Sequence, residues 1–106
     1  MSKTDRQLRI LACQIDIPFM STARLRDDHL KNCAERVSKA LTRQQADLVV
    51  LPELSSMDYS RAAFDQLHQL AEDKEGPSFR TWQAVAREHN VHISVSYTHL
   101  TLPTIA

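Results

Sequence analysis

Three short apolar runs along the chain predict β-strands. Nearly every position of Leu8–Ile15 is apolar, which is typical of a strand that is buried on both faces of a parallel sheet. A second, shorter run covers Asp47–Pro52 and ends at its proline. The third run begins with Val91 and Ile93, where apolar and polar residues alternate.

The segments between these runs have helical periodicity. The first helix is predicted to run from an N-cap at Ser21 or Thr22 to about Arg43. Ser60 is predicted to cap a second helix, and Pro77 to lie in the first turn of a third. The predicted buried stripes of the three helices are Leu30, Cys33, Val37 and Leu41; Phe64, Leu67, Leu70 and Ala71; and Phe79, Trp82, Val85 and Ala86.

Three polar residues also have predicted positions on the helices or at their ends. Arg26 is predicted to lie on a polar face of the first helix, and His29 on its flank, where we expect it to be solvated or partly packed. Asn90 is predicted to end the third helix in the left-handed conformation. The order strand, helix, strand, helix, helix, strand predicts an α/β fold in which right-handed helical crossovers join parallel strands.

Composition narrows the class of protein. The 106 residues carry 13 Lys and Arg against 13 Asp and Glu, so zero net charge gives no long-range attraction to nucleic acid or an anionic membrane. No apolar run approaches the ~20 residues that a membrane span needs. Two cysteines without an export signal favour free thiols and a cytoplasmic protein. A single glycine, Gly76, excludes the glycine-rich loops that bind phosphate.

Both ends of the chain are predicted to lie outside the domain. Residues 1–7 are polar and are expected to form a flexible leader. Residues 95–104 resemble one reading frame of a sequencing adapter, which predicts that the natural protein departs from this sequence near Ser94. Residues 95–106 are therefore interpreted as a non-native tail, and its side chains are given no functional role.

Glu53 is the strongest candidate for chemistry. It follows the second strand directly, and open α/β folds place catalytic groups beyond the carboxyl ends of their strands. Apolar neighbours there would raise its pKa and favour a role as general base or acid. A solvated loop carboxylate or a helix cap is the alternative. Tyr59, in the loop that follows, is expected either to line a pocket at the same strand end or to anchor the loop.

Other reactive side chains have simpler structural interpretations. Cys13 in a strand and Cys33 on an apolar stripe are expected to pack in the core, where burial makes thiols inert. His89 and His92 have the spacing of a metal pair, but the predicted helix end falls between them. Asp16 could join Glu53 in a Mg²⁺ site, although a turn or capping role is favoured for it. No metal site is predicted.

Several of these segments together resemble the N-terminal part of the carbon–nitrogen hydrolase (nitrilase) superfamily. They are the first strand LRILACQI, the helix after it, the segment ADLVVLPELSSMDY, and the segment LAEDKEGPSFRTWQAVAREHNVHIS. The resemblance covers residues 8–94, which we interpret as the N-terminal part of one such domain. It implies a partial αββα sandwich, a layered fold that dimerises in this family, and therefore a homo-oligomeric full-length protein.

The resemblance also implies an activity. The family hydrolyses non-peptide C–N bonds of small-molecule amides or nitriles with a Glu–Lys–Cys triad and no cofactor. Its Glu corresponds to Glu53, which would act as general base on the Cys, and Tyr59 corresponds to a position that often lines the substrate pocket.

The sequence departs from the family pattern in two respects, and these affect the activity and the loop conformation that we expect. The triad Lys and Cys belong to a region beyond Ser94, so the 106-residue chain is expected to be inactive alone. The family often has Gly where this chain has Asp58, which affects the loop conformation expected there. The alternatives are a non-catalytic α/β interaction module, in which Glu53 has no special role, and a small Mg²⁺-binding or phosphoacceptor domain that uses Asp16.

Overall fold

The computed structural model describes residues 7–53, 55–58, 60–73 and 75–96. Most of the predicted leader and residues 97–106 of the predicted tail lie outside the described residues. The elements, in chain order, are β1 (Ile10–Ala12), α1 (Ala23–Arg43), β2 (Leu48–Val50), α2 (Arg61–Asp65), α3 (Leu67–Leu70), α4 (Pro77–His89) and β3 (His92–Ser94). The predicted α/β order is confirmed, and the predicted second helix is divided into α2 and α3.

The strands form a three-stranded parallel sheet with β2 at its centre. Asp47 fixes the register at the start of β1 and β2, because its carboxylate accepts the backbone N–H of Arg9 at 2.9 Å and its own N–H donates to the Arg9 carbonyl at 2.8 Å. These contacts lower the pKa of the Asp47 carboxyl. The hydrogen bond from the Arg9 backbone N–H has the larger effect, and the hydrogen bond from the Arg9 guanidinium adds to it. Ile10 consequently pairs with Leu48.

Helices α1 and α4 pack against each other and cover one face of the sheet. Thr22 caps α1 as predicted, with its hydroxyl accepting the Leu25 N–H at 3.2 Å. The core between helices and sheet consists of Cys33, Val37, Leu41, Val49, Leu51, Trp82 and Val85. The stripes predicted for α1 and for the middle of α4 are therefore confirmed, whereas Phe79 is 36% exposed and does not belong to the core.

The predicted second helix is interrupted at Gln66. Ser60 caps α2 as predicted, with its hydroxyl accepting the Ala63 N–H at 3.0 Å. Gln66 lies between the two short helices with φ −105° and ψ 22°, outside helical geometry. Leu70 is fully buried, but Phe64 is 49% exposed, so the predicted single apolar face does not persist across the break.

Arg26 is buried, which contradicts its predicted place on a polar face. Its side chain is 7% exposed, and its guanidinium donates to the carbonyls of Gln69 at 3.2 Å and Leu70 at 2.9 Å. Those carbonyls end α3, where a helix has no partners of its own for its last C=O groups. The neighbouring Asp27 carboxylate accepts the Arg26 Nε–H at 3.1 Å and balances the charge. Arg26 thus ties α1 to the end of α3.

Both ends of α4 are capped. The carboxylate of Glu72, 4% exposed, accepts the backbone N–H and the hydroxyl of Ser78, each at 2.6 Å, and so caps the helix N-terminus. Pro77 occupies the first turn as predicted. Asn90 ends the helix at φ 52°, the predicted left-handed conformation, and leads directly into β3.

The second face of the sheet is open in the described part of the chain. Leu11 packs against the core on the helix side, so its strand neighbour Ile10 faces the opposite side and is 55% exposed, and Leu8, just before the strand, is 60% exposed. The prediction that the first strand is buried on both faces is therefore wrong for these residues. The difference arises because both helices that cover the sheet lie on one side of it.

Replacing Arg26 with Met should destabilise the protein. The carbonyls of Gln69 and Leu70 would lose their charged donor, at a cost of about 1–3 kcal/mol. Urea unfolding followed by Trp82 fluorescence would measure the loss, and Arg24→Met, at an exposed position of the same helix, is the matched control. Equal stabilities for the two variants would contradict the role assigned to Arg26.

Candidate active site

Glu53 lies where the sheet ends. Backbone pairing continues one residue beyond β2, because the Leu51 N–H donates to the Ser94 carbonyl at 3.0 Å. Pro52 and Glu53 follow, and Glu53 is exposed. The structure therefore puts this carboxylate at the carboxyl edge of the sheet, as predicted, and its exposure matches the alternative of a solvated loop carboxylate and not burial among apolar neighbours.

The loop after Glu53 turns inward and is anchored to two other parts of the fold. Ser55 is buried at 2% exposure. Its N–H donates to the Ser96 carbonyl at 3.3 Å, which joins the loop to the chain after β3. Its carbonyl lies 2.8 Å from Nε2 of His29 on α1. Since a carbonyl can only accept, His29 carries a proton on Nε2 and donates it to Ser55.

His29 is therefore a buried anchor and not the solvated flank residue that was predicted. It is 7% exposed, and the Cys33 sulfur lies 3.7 Å from its Nδ1 and 3.6 Å from its Nε2. Nearly equal distances put the sulfur against the ring and not in line with one nitrogen. The contact is packing within one turn of α1 and does not form a thiol–imidazole pair of the kind that activates a nucleophile.

Asp58 joins the loop after β1 to the loop after β2. Its side chain is 7% exposed. One carboxylate oxygen accepts the Met20 N–H at 3.1 Å, and the other accepts the Ser60 N–H at 3.2 Å. Burial opposes ionisation of Asp58, but hydrogen bonds from Ser60 and from the Met20 backbone outweigh it and leave the pKa of this carboxyl lowered.

The two cysteines lie on the helix-covered side of the sheet, where burial makes thiols poor nucleophiles. Cys33 is buried, Cys13 is half-buried, and both line a cavity of about 190 Å³ between β1 and α1. Burial raises the pKa of both thiols, and at Cys33 it outweighs the nearby charge of Arg36. The prediction that they pack in the core is confirmed for Cys33, and Cys13 packs against the same core.

The remaining candidates do not assemble into a metal site. His89 ends α4 and His92 begins β3, with left-handed Asn90 between them. Within residues 7–53, 55–58, 60–73 and 75–96, no three His, Cys, Asp or Glu side chains come close enough to hold a metal ion. Asp16 is exposed in the loop after β1. Tyr59 lies outside the described residues, so its predicted place in a pocket stays a prediction.

Sequence reasoning missed His29 and Asp58, although each left a signal. His29 precedes Cys33 by four residues, so the two share one face of α1. Asp58 precedes the N-cap Ser60 by two residues, a spacing at which an aspartate often accepts a backbone N–H. The other partner of Asp58, Met20, is 38 residues away, and no local pattern indicates it.

The parallel sheet and its helical crossovers define an α/β domain. Its candidate catalytic carboxylate lies beyond the end of the central strand. The carbon–nitrogen hydrolase family model matches residues 9–105. Since this match spans nearly the whole chain, the protein belongs to the carbon–nitrogen hydrolase family. The resemblance of the sequence to that family is thereby confirmed. None of the curated proteins compared with the chain matches it.

In the described part of the chain, no helix is long and apolar enough to cross a membrane.

Replacing Asp58 with Asn should remove part of the pH dependence of stability. A carboxyl whose pKa is lowered by folding stabilises the protein above its unfolded pKa, about 3.9, and this contribution is lost as the pH falls through the lower folded pKa. We expect Asp58→Asn to cost about 1–3 kcal/mol at pH 7 and progressively less below pH ~4.

Denaturant unfolding of both proteins between pH 7 and pH 2 would measure this difference, with Asp65→Asn, at an exposed position of α2, as the control. The lowered pKa of Asp47 affects both proteins equally and cancels in the comparison. A stability difference that stays constant with pH would contradict the ionised, hydrogen-bonded state of Asp58.

Proposed function

We propose that this chain supplies the general base of an amidase- or nitrilase-type hydrolase. The observation that carries the proposal is the position of Glu53, exposed at the carboxyl edge of a parallel sheet in a chain that belongs to the carbon–nitrogen hydrolase family. An exposed carboxylate at this edge is accessible to both a substrate and a nucleophile from another part of the protein.

In the proposed reaction Glu53 takes the proton of a cysteine thiol. With an amide, the thiolate attacks the carbonyl carbon, the C–N bond breaks as Glu53 returns its proton to the leaving ammonia or amine, and one water molecule hydrolyses the resulting thioester. With a nitrile, the attack forms a thioimidate, which one water molecule converts into the same thioester with loss of ammonia before a second water molecule releases the acid. A lysine stabilises the negative charge that develops on the substrate. This scheme uses no cofactor, and its substrate is a small molecule. As further parts of the proposal, the full-length protein is a cytoplasmic homo-oligomer.

The nucleophile in this scheme is neither Cys13 nor Cys33. Burial raises the pKa of both thiols, whereas a nucleophilic cysteine needs a lowered one. Both also line the cavity between β1 and α1 and pack on the helix-covered side of the sheet. The catalytic Cys and Lys are therefore proposed to lie in sequence that follows Ser94 in the full-length protein, which makes the 106-residue chain inactive alone.

A second candidate function is a non-catalytic interaction module. The open face of the sheet favours it, because Leu8 and Ile10 are more than half exposed on a surface that a partner would cover. In that case Glu53 would be an ordinary loop carboxylate.

Replacing Glu53 with Gln in the full-length enzyme should abolish most of its turnover. Gln keeps the shape of the side chain but cannot accept the proton, and the loss of a general base costs about 10²- to 10⁴-fold in rate. Ammonia release from a panel of short amides and nitriles would measure it. Glu35→Gln, at an exposed position of α1, is the control, and retained turnover in Glu53→Gln would refute the base role.

Resequencing the gene across the codon for Ser94 separates the two candidate functions. With primers independent of any library adapter, we expect the frame to continue into a region that carries a Lys and a strand-borne Cys. A frame that instead reads through residues 95–106 to a genuine stop would favour the interaction module, because a chain without those two residues could not perform the proposed reaction.

A further inference from the structure

Among the described residues, hydrogen bonds hold the chain on either side of Glu53. Before it, the Leu51 N–H is paired with the Ser94 carbonyl, and after it the chain is fixed again from Ser55 onward. The Glu53 side chain is exposed, so packing around it contributes little to its orientation. Its position is consequently set by the anchors on either side.

Asp58 is the anchor that joins this loop to a different strand end. Its two carboxylate oxygens bind the N–H groups of Met20 and Ser60, which belong to the loops after β1 and before α2. The bonds are charge-assisted, and a side chain only 7% exposed is shielded from competing water. Removing the carboxylate would break the side-chain hydrogen bond between the two loops and leave the loop after β2 held at Ser55.

We propose that Asp58 is a positioning residue for Glu53, holding the loop between β2 and α2 against the loop between β1 and α1. This inference rests on the proposed function, since it assigns Asp58 a role in placing the general base. Asp58 does not touch the reacting atoms. Its contribution is to keep the Glu53 carboxylate within proton-transfer distance of the nucleophile.

The chemistry of the side chain explains why aspartate suits this place. Two N–H donors from separate segments need two acceptors, and an ionised carboxylate provides them on one short side chain. Asparagine has one acceptor oxygen and would keep one of the two bonds. Alanine would keep neither, so the three residues form a graded series at this position.

The test compares Asp58→Ala and Asp58→Asn in the full-length enzyme. At a temperature where every variant is folded, we expect Asp58→Ala to lower kcat by about 10- to 100-fold while KM changes little, because displacing a catalytic group by about 1 Å has effects of this size. Asp58→Asn should fall between Asp58→Ala and the parent, and it serves as the informative variant if Asp58→Ala does not fold.

Two further variants separate positioning from general destabilisation. Val85→Ala removes core packing between α4 and the sheet without touching either loop, so it should lower the melting temperature and leave kcat unchanged. In a Glu53→Gln background, Asp58→Ala should cause little further loss of residual turnover, because a residue that acts through Glu53 has nothing left to position.

Each possible result of these kcat measurements supports or overturns the positioning role of Asp58. A loss of kcat that disappears in the Glu53→Gln background supports the inference. An unchanged kcat, or an equal loss in both backgrounds, overturns the role of Asp58 while leaving the proposed function intact. Full turnover in Glu53→Gln alone overturns the proposed function, and the positioning role of Asp58 falls with it.

Discussion

The structure depends on the parallel pairing of β2 with a neighbour on each side. Parallel strands cannot be joined by a tight turn, so the chain must cross back over the sheet after each of the first two strands. Helix α1 lies in the first crossover connection and α4 in the second. After each crossover the next strand starts from the same end of the sheet, so all three strands finish at one edge. Glu53 is at that edge because β2 ends there.

Strands of three residues offer little hydrogen bonding, and the irregular backbone around them has to be stabilised by side chains. Buried polar residues perform this task. Arg26 binds the carbonyls at the end of α3, His29 binds the Ser55 carbonyl, and Glu72 caps α4. Each of these groups meets a backbone group that would otherwise be buried without a partner, which is the condition under which a buried polar side chain stabilises a protein.

The elements of the fold could be predicted from the sequence because their signals are local. Thr22, Ser60 and Asn90 act at the helix ends that contain them, and the apolar stripe of α1 needs only its own 3.6-residue period. The contacts of Arg26 and Asp58 that join separate parts of the fold could not be predicted in this way, since Leu70 is 44 residues from Arg26 and Met20 is 38 residues from Asp58. The exposure of Leu8 and Ile10 also escaped prediction, because an apolar strand does not reveal how many of its faces are covered. For the site, the position of Glu53 beyond β2 followed from the sequence, whereas its exposure did not.

The position of a general base and its exclusion from water are separate properties, and this part of the fold provides the first. The strand end and the Asp58 contacts determine where Glu53 stands, yet its carboxylate is exposed. Proton transfer in an active site benefits from a change from water-exposed to water-excluded surroundings. In the proposed enzyme that change has to come from whatever covers the open edge and face of the sheet. Substrate and nucleophile would then reach Glu53 together with the surroundings that exclude water from it, which links catalysis to complete assembly of the domain.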